Sequence, residues 1–209
     1  MPYGGGIHAP EHHSESYEAM LANTPGLTVV IPSTPHDAKG LLTAAIRSDD
    51  PVIFMEPKRI YRAFREDVPE AAYDVPLRKA AVRREGDDVT IIGYGAMMRP
   101  ILEAADFLER EKISPEIIDL RTVMPLDLDT VLASVEKTGR VVIVHEAPGR
   151  SGFGAELSAL IAERAILHLL APVQRVTGFD TVFPFAMMEH HYLPNRNRIV
   201  AAVKQAMDF

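Results

Sequence analysis

The chain has 209 residues, of which 47% are hydrophobic, and a formal net charge of −7. This composition is typical of a globular protein and disfavours nucleic-acid binding, because no basic patch emerges from the charge pattern. The chain contains no cysteine, which excludes disulfides and thiolate chemistry within it, and we predict neither a signal peptide nor a membrane span.

The first quarter of the chain alternates between helix and strand signals. Thr34, Pro35 and Asp37 occupy the positions of an N-cap, a first helical residue and a first-turn acid, which predicts a helix start. Ser14 or Ser16 can cap the helix before it. The predicted elements are a helix over 17–23, a buried parallel strand over 27–31, a helix over 34–47 and a strand over 52–55.

The rest of the chain consists of a linker and a second alternating unit. Residues 63–79 have no period, contain Pro69 and Pro76 and carry many charges, so we interpret them as a linker between two domains. The alternation after it predicts an α/β fold with a mostly parallel sheet and helices on both faces. Strands are predicted over 89–95, 116–120, 140–146 and 172–178, and helices over 98–108, 125–137, 155–165 and 195–207.

The densest group of titratable side chains follows three consecutive glycines near the start of the chain. His8, His12 and His13 lie there with Glu11 and Glu15. His13 directly precedes the first predicted helix, whose positive N-terminal end favours a neutral imidazole that can exchange a proton. A catalytic histidine and an exposed loop histidine both stay open. A metal site on the three histidines is disfavoured, since a proline and the glycines prevent a shared helical face.

Further motifs each have two interpretations. Gly93–Ala96 lacks the third glycine of a dinucleotide fingerprint, so we interpret it as a tight strand-to-helix turn. His145–Glu146 at a strand end indicates a site or a subunit interface, and we favour the interface. Gly149–Gly154 with Arg150 indicates an anion site at a helix N-terminus or a turn packed on another subunit. The pair His190–His191 is interpreted as surface.

A specific combination of motifs runs along essentially the whole chain. They are GGGIHAPEHHSES at 4–16, PGL at 25–27, VIPSTPHDAKGLL at 30–42, DPVIF at 50–54, EPK at 56–58, YR at 61–62, YGAM at 94–97, IDLRT at 118–122, PLD at 125–127, HEAP at 145–148 and RVTG at 175–178. Together they resemble the β subunit of the decarboxylating component of 2-oxo acid dehydrogenases, which belongs to the transketolase-like thiamine diphosphate enzymes.

This resemblance implies an α/β architecture in two parts. Residues 1–78 would be the C-terminal part of a pyrimidine-binding α/β domain plus a linker. Residues 79–209 would form a transketolase C-terminal-type three-layer α/β/α domain with a mostly parallel sheet. The family's β subunit is longer at its N-terminus, and its cofactor-activating glutamate lies in that additional portion.

The resemblance also implies a reaction and its partners. The reaction is oxidative decarboxylation of pyruvate or branched-chain 2-oxo acids, with acyl transfer to lipoyl groups. Thiamine diphosphate would be bound at the interface with an α subunit, which also holds magnesium. His13, just before Ser-Glu-Ser, would be the catalytic proton donor. The implied partners are the α subunit, a second β subunit and the lipoyl acyltransferase core, in the cytoplasm or, in a eukaryote, the mitochondrial matrix.

A potassium ion is the last implied ligand. Several relatives bind it through backbone carbonyls and a side chain, and the aligned positions here are Ala45, Ser48 and Asp50. The family more often has an acidic residue in place of Ser48. Phe209 and its carboxylate are the implied contact with the acyltransferase core.

Two other functions stay open. The first is a non-catalytic assembly or interaction module, since the resemblance implies that the cofactor-activating glutamate lies outside these residues. The second is another enzyme of the superfamily, such as a transketolase-like synthase. The patterns Glu56-Pro57-Lys58 and Tyr61-Arg62 argue against the second.

Overall fold

A computed structural model of the chain describes residues 1–9 and 13–209. The strands are β1 Pro2–Tyr3, β2 Thr28–Val30, β3 Val52–Phe54, β4 Glu56–Pro57, β5 Ala81–Arg84, β6 Val89–Gly93, β7 Pro115–Asp119, β8 Thr122–Met124, β9 Val141–Pro148 and β10 Gln174–Gly178. The α-helices are α1 Glu18–Ala22, α2 Pro35–Ile46, α3 Met98–Arg110, α4 Leu128–Thr138, α5 Phe153–Ala165, α6 Ala186–Tyr192 and α7 Arg196–Met207. Across these described ranges, no helix combines the length and apolar character needed to cross a bilayer.

The central sheet has five strands in the order β10-β9-β6-β7-β5. Its first four strands are parallel to one another, and only β5 at the edge runs antiparallel. A smaller sheet, β3-β2-β8, contains the predicted parallel pair β2 and β3, to which β8 adds an antiparallel strand. The mostly parallel sheet predicted from the alternation is therefore present.

Side chains along the central strands alternate between two apolar layers. Ile92 and Ile118 point into one layer, which also holds core residues of α4 and α5. Ile91 and Ile117 point into the other, with core residues of α3 and α7. Because strand side chains alternate with a period of two, one run of apolar residues fills both layers. The result is the predicted three-layer α/β/α arrangement.

Local capping signals account for several element boundaries. The Thr34 side chain accepts a hydrogen bond of 3.1 Å from the Asp37 amide and caps α2, as predicted. Gly139 ends α4 with a φ of +67°, the left-handed conformation that glycine adopts easily. The serine caps proposed for α1 are wrong. Its N-cap is Tyr17 without a side-chain bond, and Ser14 Oγ donates instead to the Ala9 carbonyl.

The pattern analysis missed elements that depend on distant partners. Strand β8 has three residues and pairs antiparallel with β2, while β5 has four residues and pairs antiparallel with β7. Helix α6 has seven residues, most of them exposed. Such short segments carry no measurable period, so only tertiary pairing defines them. We refer below to residues 81–207, from β5 to α7, as the C-terminal unit.

A buried ion network connects α2 to the C-terminal unit. Arg83 lies 2.8 Å from Asp119 and also pairs with Asp37, and both carboxylates are almost fully buried. Ser33 Oγ donates to Asp119, and Arg121 lies 3.5 Å from Asp37. Burial raises the pKa of Asp119, while the positive charge of Arg83 opposes that shift. The positive charge of Arg83 thus offsets the repulsion between two buried carboxylates.

Replacing that cation should destabilise the fold strongly. Arg83→Met leaves two buried carboxylates facing each other, and we expect a loss of about 3–5 kcal/mol in the free energy of unfolding. Arg99→Met is the matched control, because its exposed pair with Glu103 is worth about 0.5 kcal/mol or less. Urea denaturation of the two variants measures the difference. Equal losses would contradict the role assigned to Arg83.

Candidate active site

The glycine loop at residues 4–8 lies on two buried carboxylates of the C-terminal unit. The Gly5 amide donates to Glu146 of β9 at 2.9 Å. The His8 amide donates to Glu189 of α6 at 3.0 Å, and the Gly6 amide donates to the other oxygen of the same carboxylate. Three backbone donors of the loop are therefore satisfied by two side chains that are only 4% and 2% exposed.

The close approach to these acids explains the glycines. Gly4 has a φ of +84°, and a Cβ atom there would lie 2.7 Å from Glu146 Oε1. A Cβ atom at Gly5 would lie 2.5 Å from the ring of Phe183. Only glycine allows both the left-handed backbone and this proximity. The three consecutive glycines thus allow the loop to approach the C-terminal unit closely.

Further bonds tie together the two ends of the loop around His13. The Gly4 amide donates to the Glu15 carbonyl at 3.1 Å, and Ser14 Oγ donates to the Ala9 carbonyl. Lys58 Nζ donates to the carbonyl of His13 itself. His13 is an exposed residue of this chain, so a ligand or a partner can reach it. His12, one of the three histidines of the disfavoured metal hypothesis, lies outside the described residues, as does Glu11.

Burial dominates the electrostatics beneath the loop. It raises the pKa of Glu146 to about 7, and the nearby carboxylates Glu18 and Glu189 add to the shift. The Gly5 amide and the charge of Arg59 act in the opposite direction. Glu18, in α1, accepts a 2.9 Å hydrogen bond from the Tyr94 hydroxyl, and burial raises its pKa too. The Gly5 amide thus binds an acid, Glu146, whose charged form is disfavoured by burial.

Other ionisable groups face this cluster from the surrounding elements. Burial lowers the pKa of Lys58, although Glu146 opposes that change. Burial raises the pKa of Tyr3 well above its ordinary value and that of Tyr192 to about 12, with Glu146 contributing in both cases. Both phenols therefore stay neutral, and they can bond without adding charge.

The favoured interface interpretation of His145–Glu146 is wrong. Strand β9 does not end there but continues to Pro148, and both side chains are buried within the chain. Cβ atoms at Gly152 and Gly154 would lie 2.8 Å and 2.6 Å from the His145 ring, so these glycines make room for the imidazole. Burial lowers the pKa of His145 to about 4, which keeps the ring neutral at pH 7.

A cleft of about 740 Å³ opens between α1 and the start of α5, near Ser16, Met20 and Arg150. This volume is that of a small-molecule site. Arg150 is largely exposed, and its guanidinium lies 3.9 Å from Asp180. The anion-site interpretation of this turn stays a prediction. His190 and His191 are both exposed, as predicted for surface residues.

The predicted potassium ligands already have partners inside the chain. The Ala45 carbonyl accepts the Ser48 amide at 3.2 Å, and Ser48 Oγ accepts the Asp50 amide at 3.2 Å. The Asp50 carboxylate lies 3.0 Å from Arg78. A cation bound through the Asp50 side chain would therefore have to compete with a guanidinium. The site stays a prediction.

Sequence comparison assigns the two parts of this fold to known families. The family described as "Transketolase, C-terminal domain" matches residues 78–199, and "Transketolase, pyrimidine binding domain" matches residues 1–63. This chain belongs to the transketolase family. The predicted fold class, a partial pyrimidine-binding domain followed by a transketolase C-terminal domain, is confirmed.

Individual relatives are similar along the whole chain. The pyruvate dehydrogenase E1 component subunit beta of Staphylococcus epidermidis RP62A is 52% identical over 208 residues. The same subunit of Staphylococcus aureus Mu50 is also 52% identical. A solved structure, "Split gene transketolase, inactive beta4 tetramer", matches with a TM-score of 0.78 at 26% identity. The match covers 94% of this chain and 63% of the chain in that structure. This chain covers 64% of the length of both curated relatives.

Sequence reasoning missed the two acids that hold the loop. Glu146 was considered only as part of a strand end, and Glu189 lies in a helix that was not predicted. One signal was available for Glu146: an acid two positions after the apolar run 141–144 is an unusual neighbour for buried residues. For Glu189 the sequence offered no equivalent signal.

The raised pKa of Glu146 predicts a pH-dependent loss of stability. The folded pKa of about 7 lies above the ordinary 4.5, so the fold binds this proton more tightly than the unfolded chain does. The resulting stability is complete below pH 4.5 and is lost as the pH rises through about 7. Glu146→Gln stays neutral, and its free energy of unfolding should gain on the wild type by up to about 3 kcal/mol across that window.

Denaturant unfolding of both proteins at several pH values measures this gain. Glu163→Gln, an exposed position on α5, is the matched control and should follow the wild type at every pH. A constant difference between Glu146→Gln and the wild type would contradict the assigned environment.

Proposed function

We propose that this chain is part of the β subunit of a thiamine diphosphate-dependent 2-oxo acid dehydrogenase. The reaction would be oxidative decarboxylation of pyruvate or of branched-chain 2-oxo acids, with acyl transfer to lipoyl groups. The observation that carries the proposal is the 52% identity to pyruvate dehydrogenase E1 beta subunits along the entire chain. That identity favours pyruvate. The boundary between residues 78 and 79 and a cytoplasmic location belong to the same proposal.

The chemistry of His13 fits a role beside such a cofactor. Thiamine diphosphate, when bound, supplies the carbanion-stabilising chemistry of the decarboxylation. The exposed His13 imidazole can donate a proton to a sulfur or oxygen within hydrogen-bond reach. Lys58 would fix the backbone of His13 through its carbonyl while leaving the ring accessible. We therefore assign His13 the proton transfer to the lipoyl sulfur or to the reacting intermediate.

The proposal assigns the metal ions separately. Within residues 1–9 and 13–209, no three histidine, aspartate or glutamate side chains are grouped around a possible metal position. The magnesium of the cofactor is assigned to the α subunit, as the family resemblance implies. Potassium is assigned to the turn at Ala45, Ser48 and Asp50. The remaining proposed partners are a second β subunit and the lipoyl acyltransferase core.

One comparison favours a non-catalytic alternative. The solved structural neighbour is described as an inactive tetramer of β chains, and this chain covers 63% of it. The alternative is that the chain serves as an assembly module of its complex. The two functions differ in whether the His13 ring is required.

Activity of the full-length β subunit with an α subunit tests the proposal. His13→Ala should lower kcat for thiamine-dependent decarboxylation by about 10²–10⁴-fold, because a positioned acid–base group is lost. His168→Ala, at another exposed histidine, is the control and should keep full activity. Pyruvate and a branched-chain 2-oxo acid are compared as substrates. Full activity of His13→Ala, with unchanged thermal unfolding, would refute the catalytic role, and inactivity of the wild type with every α subunit would favour the assembly module.

A further inference from the structure

We propose that Glu189, assisted by Glu146, is a positioning residue that sets the place of His13 by holding the loop before it. The inference rests on the proposed catalytic role of His13. Two acids of the C-terminal unit would then position His13 through the loop, without contacting a substrate themselves.

The geometry of Glu189 requires a carboxylate. Its two oxygens accept from two different amides, those of Gly6 and His8, and each accepts a backbone proton. A glutamine offers one acceptor oxygen and a donor NH₂ group, so it can satisfy only one of the two amides. A buried carboxylate is costly unless charge-assisted hydrogen bonds compensate its desolvation. Here the loop amides supply that compensation.

The bond to His8 also holds a backbone conformation that is otherwise disfavoured. His8 has a φ of +59° without being a glycine. Such residues are uncommon and persist where surrounding contacts fix them. The His8 amide bond to Glu189 is the contact that does so, and its imidazole lies 3.5 Å from the same carboxylate. The strain is thus located five positions before His13.

Hydrogen bonds connect the loop that Glu189 and Glu146 hold to the residues around His13. The Gly4 amide, next to the Glu146-bound Gly5, donates to the Glu15 carbonyl, which lies two residues after His13. The Ala9 carbonyl, next to His8, accepts from Ser14, which directly follows His13. Movement of residues 4–9 would therefore move Ser14 and Glu15, the two residues that follow the histidine. A misplacement of about 1 Å can cost about 10²-fold in rate.

Hydrogen exchange tests whether Glu189 holds the loop, without any activity measurement. In the full-length β subunit bound to its α subunit, Glu189→Gln should raise amide exchange in the segment 4–9 by about tenfold or more, because one amide loses its acceptor. Exchange of the β9 core amides Val142 and Val144 should stay unchanged. Glu163→Gln is the control and should leave both regions as in the wild type. Unchanged loop exchange, or an increase spread evenly over the chain, would overturn the proposal.

A double-mutant cycle tests whether Glu189 acts through His13. Glu189→Gln should lower kcat by about 10–100-fold with little change in KM, since the loop bond contributes to orientation rather than to binding. In a His13→Ala background the same substitution should have no further effect. Equal losses in both backgrounds would overturn the positioning role. If His13→Ala alone keeps full activity, the proposed function fails, and hydrogen exchange then decides by itself whether Glu189 holds the loop.

Discussion

Three amides of a short glycine loop donate to two buried carboxylates, and the arrangement of the candidate site depends on this contact. Glu146 and Glu189 would each be unfavourable in the interior without donors, and the amides of Gly5, Gly6 and His8 would be unfavourable without acceptors. Each group thus compensates the burial cost of the other. Because the acids and the loop come from opposite ends of the chain, the contact also makes the position of the loop a property of the whole fold.

The same principle operates at the second junction between the two parts of the molecule. Asp37 of α2 and Asp119 of β7 are buried together and share Arg83. At that junction the guanidinium of Arg83 neutralises the two acids. Beneath the loop, backbone amides bind the carboxylates instead, and the raised pKa of Glu146 reduces its charge. Burial raises the pKa of both Asp119 and Glu146. Polar groups at these two junctions fix the relative placement of α2, the loop and the central sheet with a directionality that apolar packing alone lacks.

Elements with strong local signals could be predicted from the sequence. A strand was predicted over 140–146 and a helix start at Thr34, and both are present. The same reasoning placed the strand end at His145–Glu146, although the strand continues to Pro148 and the His145 ring is buried against Gly152 and Gly154. The glycines before α5 were interpreted as an anion site or as a subunit contact. In the structure, Gly152 and Gly154 instead make room for His145, a side chain of strand β9.

The contacts of the candidate site could not be predicted in this way. Glu146 and Glu189 bind amides 141 and 181 positions away, and no local pattern encodes a partner at such separation. The significance of His13 came from the resemblance to a family, while its local sequence left an exposed loop histidine equally open. The structure adds the hydrogen bonds that Lys58 and Ser14 donate near His13, and the one that the Glu15 carbonyl accepts from Gly4. The loop of the candidate site is thus specified by tertiary hydrogen bonds rather than by propensity.

The most direct measurement is a crystal structure of the full-length protein with the proposed α subunit and thiamine diphosphate. The account predicts that the His13 imidazole faces the cofactor within hydrogen-bond reach of the reacting atoms, about 3 Å or one water away, while Glu189 still accepts from Gly6 and His8. A His13 ring directed to solvent on the side away from the α subunit, with the loop detached from Glu189, would contradict it.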